Sequence, residues 1–182
     1  AGFKYIDAYN PAVMDLYCKY LNEGIYSKGL DGWWMDSTEP DVVNALSKES
    51  SDYELKKMNN NHLGSFARYL NPYSLVMTEA VHKNWRNQAS DRRAYILTRS
   101  TFAGQQRNAA TTWSGDIGAN WQVYRNQISA GTNHCMSGIP YWTFDIGAFV
   151  IGAYGGAFST GGKQPSYQEL YTRMFQLGAF CP

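Results

Sequence analysis

The sequence predicts an α/β protein with parallel strands, and three observations support this class. Helical patterns and short apolar runs alternate along the 182 residues, which is typical of βα units. Each predicted strand delivers an ionisable group at its carboxyl end, and these groups are Asp36, Glu79, Arg99 and Asp145. In a (β/α)₈ barrel the carboxyl ends of all strands lie on one face, so residues there converge. In a doubly wound sheet, residues at the carboxyl ends converge only near the switch point. We therefore predict a (β/α)₈ TIM barrel.

The length predicts that only part of this barrel is present. A complete barrel needs about 250 residues, and the 182 residues supply four strand-to-loop units. We expect the central portion, about strands 4 to 7, forming one partial TIM-barrel catalytic domain over residues 1–182. The rest of the barrel or accessory β domains would then be missing. Such a portion would expose strand edges and apolar helix faces, so alone it should aggregate or dimerise and be inactive.

The elements of the first half follow from periodicity and punctuation. A helix is predicted over residues 11–26, because Asn10 is a favourable N-cap and Pro11 suits the first turn. The apolar run 30–35 predicts a buried strand. After a polar stretch at 42–58, a helical pattern at 63–70 precedes a run at 75–77, which we interpret as the strand that ends at Glu79.

The second half continues the alternation. The run 94–97 predicts a strand that ends at Arg99, and Gly104 and Gly115 bracket a long loop. A helix over about 121–130 precedes a strand over 138–143, which leads to Asp145. A tail rich in glycine and aromatic residues at 147–162 is followed by a helix over 167–177.

Composition narrows the class of partner. Charged residues are nearly balanced at a formal net charge of +1, which gives no field to attract nucleic acid or an anionic membrane. No apolar run approaches the length of a membrane-spanning helix. The three cysteines and three histidines lack the spacing of a metal or redox site, so we predict no metal and no cofactor. Aromatic residues make up 15% of the chain, which fits a large core.

The segment around Asp36 suits a sugar. Sugar rings stack their C–H faces on aromatic side chains, while their hydroxyls bond charged groups. Side chains alternate along a strand, so only one of the two indoles before Asp36 can share its face, and Trp34 is the better candidate. The alternative is that Trp33 and Trp34 are core residues and Asp36 is a cap.

A second carboxyl, Asp116, lies beside Trp113 on a loop with Gly115. An indole neighbour favours the protonated form of a carboxyl, as a general acid needs. Asp36, near Arg99, should instead stay ionised, and two carboxyls in unlike surroundings are the minimum for glycoside hydrolysis. The alternative is that Asp116 only caps the following helix.

Five motifs in order resemble those of glycoside hydrolase family 31, from about residue 3 to the last residue. They are WWMDSTEP at 33–40, LTRS at 97–100, AGQQR at 103–107, WSGD at 113–116 and DIGAF at 145–149. The family contains α-glucosidases, α-xylosidases and transglycosylases. The resemblance departs at Ala148, where the family commonly has glycine. Another sugar-binding aspartate and a histidine of the family find no counterpart in this chain.

The resemblance implies a role for each matching residue. Asp36 would be the nucleophile and Asp116 the general acid/base, about 5 to 5.5 Å apart, in a retaining double displacement at an α-linkage. The resemblance also implies five substrate-binding residues, which are Trp34, Arg99, Trp113, Asp145 and Phe149. No metal or organic cofactor is implied.

Residues 36–41 and 103–107 are most similar to the α-xylosidase branch, which acts on xyloglucan oligosaccharides. We expect removal of a terminal xylose, with glucose and an α-glucan-derived oligosaccharide as the alternative. Transglycosylation and an inactive sugar-binding fragment also stay open. A substrate derived from polysaccharide and the lack of a disulfide framework fit a bacterial periplasm or cytoplasm.

Overall fold

The computed structural model describes residues 5–39, 60–158 and 160–182. The chain divides into two units, Ala1–Ala110 and Thr111–Pro182. The polar stretch predicted at 42–58 lies outside the described residues.

The first unit contains two parallel strands and the helices that flank them in sequence. Its helices are α1 at Pro11–Gly24, α2 at Phe66–Tyr69 and α3 at Tyr73–Gln88, and its strands are β1 at Trp33–Met35 and β2 at Ile96–Thr98. Single 3₁₀ turns lie at Tyr26–Lys28 and Gln105–Asn108. Trp33 pairs with Ile96 and Met35 with Thr98, so β1 and β2 end side by side. The predicted parallel arrangement of these two strands is confirmed.

Helix α1 begins where the sequence predicts. The side chain of Asn10 accepts a hydrogen bond of 3.0 Å from the backbone N–H of Ala12, and Pro11 occupies the first turn. Met14 turns inward and joins the core of this unit, which also contains Trp33 and Ile96 from the strands. The core therefore packs β1 and β2 against the helices of this unit.

The strand predicted at 75–77 is wrong, because these residues lie inside α3. A three-residue apolar run does not distinguish a strand from one turn of a buried helix. The longer pattern does, since the buried side chains recur every four residues at Tyr73, Met77, Val81 and Trp85. Glu79 is therefore a helix residue, and the predicted set of ionisable groups at strand ends loses one member.

The second unit again pairs two parallel strands. Strand β3 is Ala110–Trp113, of which Ala110 is the last residue of the first unit. Helix α4 is Trp121–Met136, strand β4 is Trp142–Thr143, a 3₁₀ turn is Gly161–Lys163 and helix α5 is Pro165–Gly178. Thr112 pairs with Trp142 and Trp113 with Thr143. The predicted helices at 121–130 and 167–177 are confirmed and are longer than expected, whereas β4 is shorter than the predicted strand.

Strand β3 corrects the long loop predicted between Gly104 and Gly115. All four of its residues are buried, which leaves no alternation to mark a strand. The loop is predicted from the two bracketing glycines, and the polar residues Thr111 and Thr112 between them do not look like a buried strand. Both are β-branched, however, and β-branched residues favour strands.

Close packing on a glycine brings α4 onto β4. A Cβ atom at Gly131 would lie 2.6 Å from the ring of Trp142, nearer than two non-bonded carbon atoms can approach. The absent side chain lets the indole pack closely against α4, which helps to fix the strand end that precedes Asp145.

Among the described residues, the longest helices are α3 and α4, with 16 residues each. Within the described ranges, no helix is both long and apolar enough to cross a membrane.

Candidate active site

The end of β1 separates its two indoles onto opposite faces. Trp33 is 7% exposed and Trp34 is 70% exposed, as alternation along a strand requires. Asp36, two residues after Trp34, is also exposed. The alternative in which both indoles are core residues is wrong for Trp34, whose side chain is largely exposed.

Asp36 and Arg99 form an ion pair at the carboxyl ends of neighbouring strands. Met35 and Thr98 are paired across the ladder, so the residues that follow them are next to each other. Nη1 of Arg99 lies 3.1 Å from Oδ1 of Asp36. The same oxygen accepts a hydrogen bond of 2.8 Å from the backbone N–H of Ser37. The predicted proximity of these two residues is confirmed.

A buried hydroxyl group fixes the turn that carries Asp36. The Oγ1 atom of Thr38, which is buried, lies 2.6 Å from Oγ1 of Thr98 and 3.0 Å from Oγ of Ser100. Ser37, which precedes Thr38, has a φ of +52°. This left-handed conformation costs energy in a residue with a Cβ. The hydroxyl cluster holds this turn closed over the side chain of Arg99.

The structure adds Glu39 to this site. Nε of Arg99 donates a hydrogen bond of 2.6 Å to Oε1 of Glu39, and Nη2 lies 2.5 Å from the same oxygen. Sequence reasoning quoted Glu39 within a motif but gave it no role. The sequence feature that could have indicated Glu39 is its position three residues after Asp36. A tight turn between the two residues places both carboxylates beside Arg99.

Gln105 anchors the loop that follows β2. Its side chain is fully buried, and its Nε2 donates a hydrogen bond of 2.8 Å to the carbonyl of Ser100. Its Oε1 accepts from the hydroxyl of Ser74 at 3.0 Å and from the backbone N–H of Phe102 at 3.1 Å. The amide therefore ties the segment after Arg99 to helix α3.

In the second unit, Asp116 is exposed on the loop between β3 and α4. Gly115 before it has a φ of +78°, which glycine adopts at little cost. After it, the carbonyl of Ile117 accepts a hydrogen bond of 3.0 Å from the backbone N–H of Phe149. Gly118 then forms a parallel bridge with Val150. The loop is thus fixed directly beside Asp116.

The alternative in which Asp116 caps the next helix is wrong. Helix α4 is capped by Asn120, whose side chain accepts a hydrogen bond of 2.7 Å from the backbone N–H of Val123. Asp116 lies four residues earlier in the chain, and its carboxylate is left available for another use.

The segment after β4 bends back through a tight turn. The backbone N–H of Ala148 donates a hydrogen bond of 3.0 Å to the carbonyl of Asp145. Phe149 is exposed, and its ring meets that of Tyr154 edge to face at 6.1 Å. Trp113 is only 6% exposed, so a small part of its indole can face a ligand in this structure.

The turn contains a strained residue at the position where the resemblance departs. Ala148 has a φ of +72°, and an L-residue pays about 1–2 kcal/mol in this region. Glycine avoids that cost but loses about 0.5–1 kcal/mol through its freer unfolded chain. We expect Ala148→Gly in the full-length protein to raise the Tm slightly, by up to about 1 °C, because the Tm shift per kcal/mol falls as the protein grows; scanning calorimetry measures it.

The matched control is Ala179→Gly. Ala179 has a φ of −63° after α5, where alanine is unstrained, so glycine there should lower the Tm. If Ala148→Gly lowers the Tm as much as Ala179→Gly does, the strain assigned to Ala148 is wrong.

The predicted residues divide between the units. Trp34, Asp36 and Arg99 lie in the first unit, and Trp113, Asp116, Asp145 and Phe149 lie in the second. In each unit, parallel strands are followed within three residues by charged side chains. This arrangement defines the class of β/α barrel proteins that carry their functional groups at the carboxyl ends of the strands.

Comparison with known proteins assigns the family within this class. The family described as "Glycosyl hydrolases family 31 TIM-barrel domain" matches residues 2–182, and the chain belongs to this family. An alpha-xylosidase of Saccharolobus solfataricus is 39% identical over 178 residues, which are 96% of this chain and 22% of the relative.

Solved structures agree with this assignment. The chain is similar to the family 31 alpha-xylosidase from Xanthomonas citri, with a TM-score of 0.84 and 41% identity over 97% of this chain and 19% of that one. A family 31 dextranase from Flavobacterium johnsoniae, complexed with glucose, matches with a TM-score of 0.77 and 30% identity over 97% and 20% of the two chains. The chain spans about a fifth of the length of each of these relatives.

Proposed function

We propose that the protein containing this chain is a retaining α-glycoside hydrolase, and that residues 1–182 are part of its TIM-barrel catalytic domain. The observation that carries the proposal is the ion pair of 3.1 Å between Arg99 and Asp36 at the ends of two adjacent parallel strands. The guanidinium of Arg99 and the backbone N–H of Ser37 both bind Oδ1 of Asp36 and hold the carboxylate in one orientation. A nucleophile needs a fixed orientation toward the atom that it attacks.

In the first step, a carboxylate oxygen of Asp36 attacks the anomeric carbon of the terminal sugar. The bond between that carbon and the leaving oxygen breaks, and Asp116 gives its proton to the leaving oxygen. The sugar is then joined to Asp36 as an ester with inverted configuration. Trp34 offers an exposed ring for the sugar to stack on.

In the second step, water attacks the same carbon from the side that the leaving group has vacated. Asp116 takes the proton of that water, and Asp36 departs as a carboxylate. Two inversions restore the α-configuration. The exposed position of Asp116, on a loop fixed at its next two residues, suits a group that exchanges protons with a leaving group and with water.

For the sugar, we favour a terminal α-linked xylose. Two relatives that match at 39% and 41% identity are named alpha-xylosidases, whereas the dextranase matches at 30%. The substrate would be an oligosaccharide of the xyloglucan type. Glucose from an α-glucan is the alternative, and transglycosylation uses the same residues with a sugar hydroxyl in place of water. The alternative from a different class of function is an inactive fragment that only binds sugar.

The test compares matched 4-nitrophenyl α-xyloside and α-glucoside with the full-length protein. We expect kcat/KM to favour the xyloside by about 10-fold or more, because a pocket fitted to the smaller sugar rejects the hydroxymethyl group. A preference for the glucoside would reject xylose and keep the hydrolase. If the protein cleaves neither substrate, the proposed hydrolase function is wrong. If longer products form when a sugar acceptor is added, the protein is a transglycosylase.

A further inference from the structure

We infer that Glu39 is a positioning residue for Asp36 and acts through Arg99. The inference rests on the proposed function, since it assigns a partner to the proposed nucleophile. Its basis is that one guanidinium is shared between two carboxylates, whose roles in the reaction must differ.

The geometry gives Glu39 the larger share of Arg99. Nε and Nη2 both lie on Oε1 of Glu39, at 2.6 Å and 2.5 Å, whereas Asp36 receives Nη1 at 3.1 Å. Nη2 also donates to the hydroxyl of Ser37 at 3.0 Å. A planar guanidinium that is bound along one edge can present its remaining N–H groups in a single direction. Glu39 therefore orients the group that binds Asp36.

Burial makes the charge of Glu39 matter. The side chain of Arg99 is 17% exposed, and a buried cation that loses its partner is costly. Asp36 is a partner for only part of the reaction, because its charge disappears when it forms the ester with the sugar. Glu39 takes no part in that bond. Its carboxylate stays paired with Arg99 and holds the guanidinium in place while Asp36 is esterified.

The free enzyme leads to the same conclusion. Without the charge of Glu39, Arg99 would attract Asp36 more strongly and stabilise the carboxylate before attack. In the transition state that negative charge is being consumed, so the added stabilisation is largely lost there. An interaction that is stronger in the ground state than in the transition state raises the barrier. Glu39 thus holds Arg99 close to Asp36 and weakens the electrostatic attraction between Arg99 and the Asp36 carboxylate.

The turn that joins the two carboxylates makes this arrangement specific. Thr38 lies between Ser37 and Glu39, and its hydroxyl is bound to Thr98 and Ser100 on the neighbouring strand end. The backbone positions of Asp36 and Glu39 are therefore fixed relative to Arg99. A substitution at Glu39 that preserves its shape should leave this turn intact and change only the charge.

The test is Glu39→Gln in the full-length protein. Glutamine keeps the shape and an oxygen acceptor but loses the charge. We expect kcat on 4-nitrophenyl α-glycosides to fall by about 10- to 100-fold, with KM changed by less than about 2-fold, because the loss concerns the chemical step. Covalent labelling of Asp36 by a 5-fluoro glycosyl fluoride, followed by intact mass, should slow by a similar factor. Rates are taken per folded molecule, from the circular dichroism of the same sample.

The matched control is Glu79→Gln on α3. The side chains of Glu79 and Glu39 are both 33% exposed, and Glu79 also pairs with cations, Lys83 at 2.6 Å and Arg107 at 3.6 Å. The hydrogen bond from Lys83 lowers the pKa of Glu79, so both variants remove a paired charge. Glu79→Gln should keep the kcat and the labelling rate of the parent protein.

The outcomes separate the two proposals. If Glu39→Gln keeps the parent kcat and labelling rate, or loses no more than Glu79→Gln, the inference is overturned and the hydrolase stands. If Glu39→Gln raises KM and leaves kcat unchanged, Glu39 binds substrate instead and the inference again fails. If the parent protein cleaves neither α-xyloside nor α-glucoside, the proposed function itself is wrong.

Discussion

Replacing Asp36 with alanine in the full-length protein is expected to reduce turnover of aryl α-glycosides by about 10⁴-fold or more. The substitution removes the atom proposed to bond to the anomeric carbon, and the nearby carboxylate of Glu39 is bound to Nε and Nη2 of Arg99. Added azide should restore part of the activity, because it can enter the space left by the carboxylate. It would attack from that side and give a β-glycosyl azide, identified by proton NMR.

The control for this variant is Asp31→Ala. Asp31 also forms an ion pair with an arginine, Arg92, at 2.9 Å, but it precedes β1 and lies away from the carboxyl end. Asp31→Ala should retain the kcat of the parent protein. Parent-like turnover by Asp36→Ala would refute the nucleophile assignment, as would an α-configured azide product.

Replacing Asp116 with alanine should have the second largest effect, and its size should depend on the substrate. Loss of a general acid/base costs about 10²- to 10⁴-fold when the leaving group needs a proton. A 2,4-dinitrophenyl leaving group needs none, so formation of the ester on Asp36 should stay fast and its breakdown should become limiting. Azide attacks that ester from the face opposite Asp36, and we expect an α-glycosyl azide.

The two variants should therefore give azides of opposite configuration. Glu169→Ala is the control in the second unit, because Glu169 is an exposed carboxylate paired with Arg173 on α5 at 3.8 Å. It should neither slow turnover nor form an azide product. Equal losses of rate for good and poor leaving groups in Asp116→Ala would contradict the acid/base assignment. So would a β-configured azide from this variant.

Local rules predicted the elements whose signals are local. Asn10 and Pro11 mark the start of α1 through their own hydrogen-bonding and φ preferences, and the structure begins the helix there. Alternation likewise predicted that Trp33 and Trp34 face opposite ways. These features depend on a few adjacent residues, so a single sequence is enough to place them.

Elements whose signals are not local were missed. The run at 75–77 belongs to a helix whose pattern becomes clear only over four turns. Strand β3 is buried on both faces, so Thr111 and Thr112 are enclosed and show no alternation. In both cases tertiary contacts decide the state, and a short window of sequence does not contain them.

The site shows the same division. The spacing of Asp36 and Arg99 from their strands predicted that the two would meet, because parallel strands end together. The place of Glu39 depended instead on how the turn at Ser37 and Thr38 closes. That closure is set by hydroxyl contacts from Thr38 to residues 60 and 62 positions further along the chain, and no local pattern encodes it.

The buried amide of Gln105 has a consequence for genetics. Its three hydrogen bonds hold the segment that leaves Arg99, although the amide itself is sealed away from any sugar. A random screen for variants that fail to grow on the substrate should return position 105 beside positions 36 and 116. Such variants would be mistaken for active-site lesions unless their thermal stability is also measured. We expect variants at Asp36 and Asp116 to keep the Tm of the parent protein and variants at Gln105 to lower it.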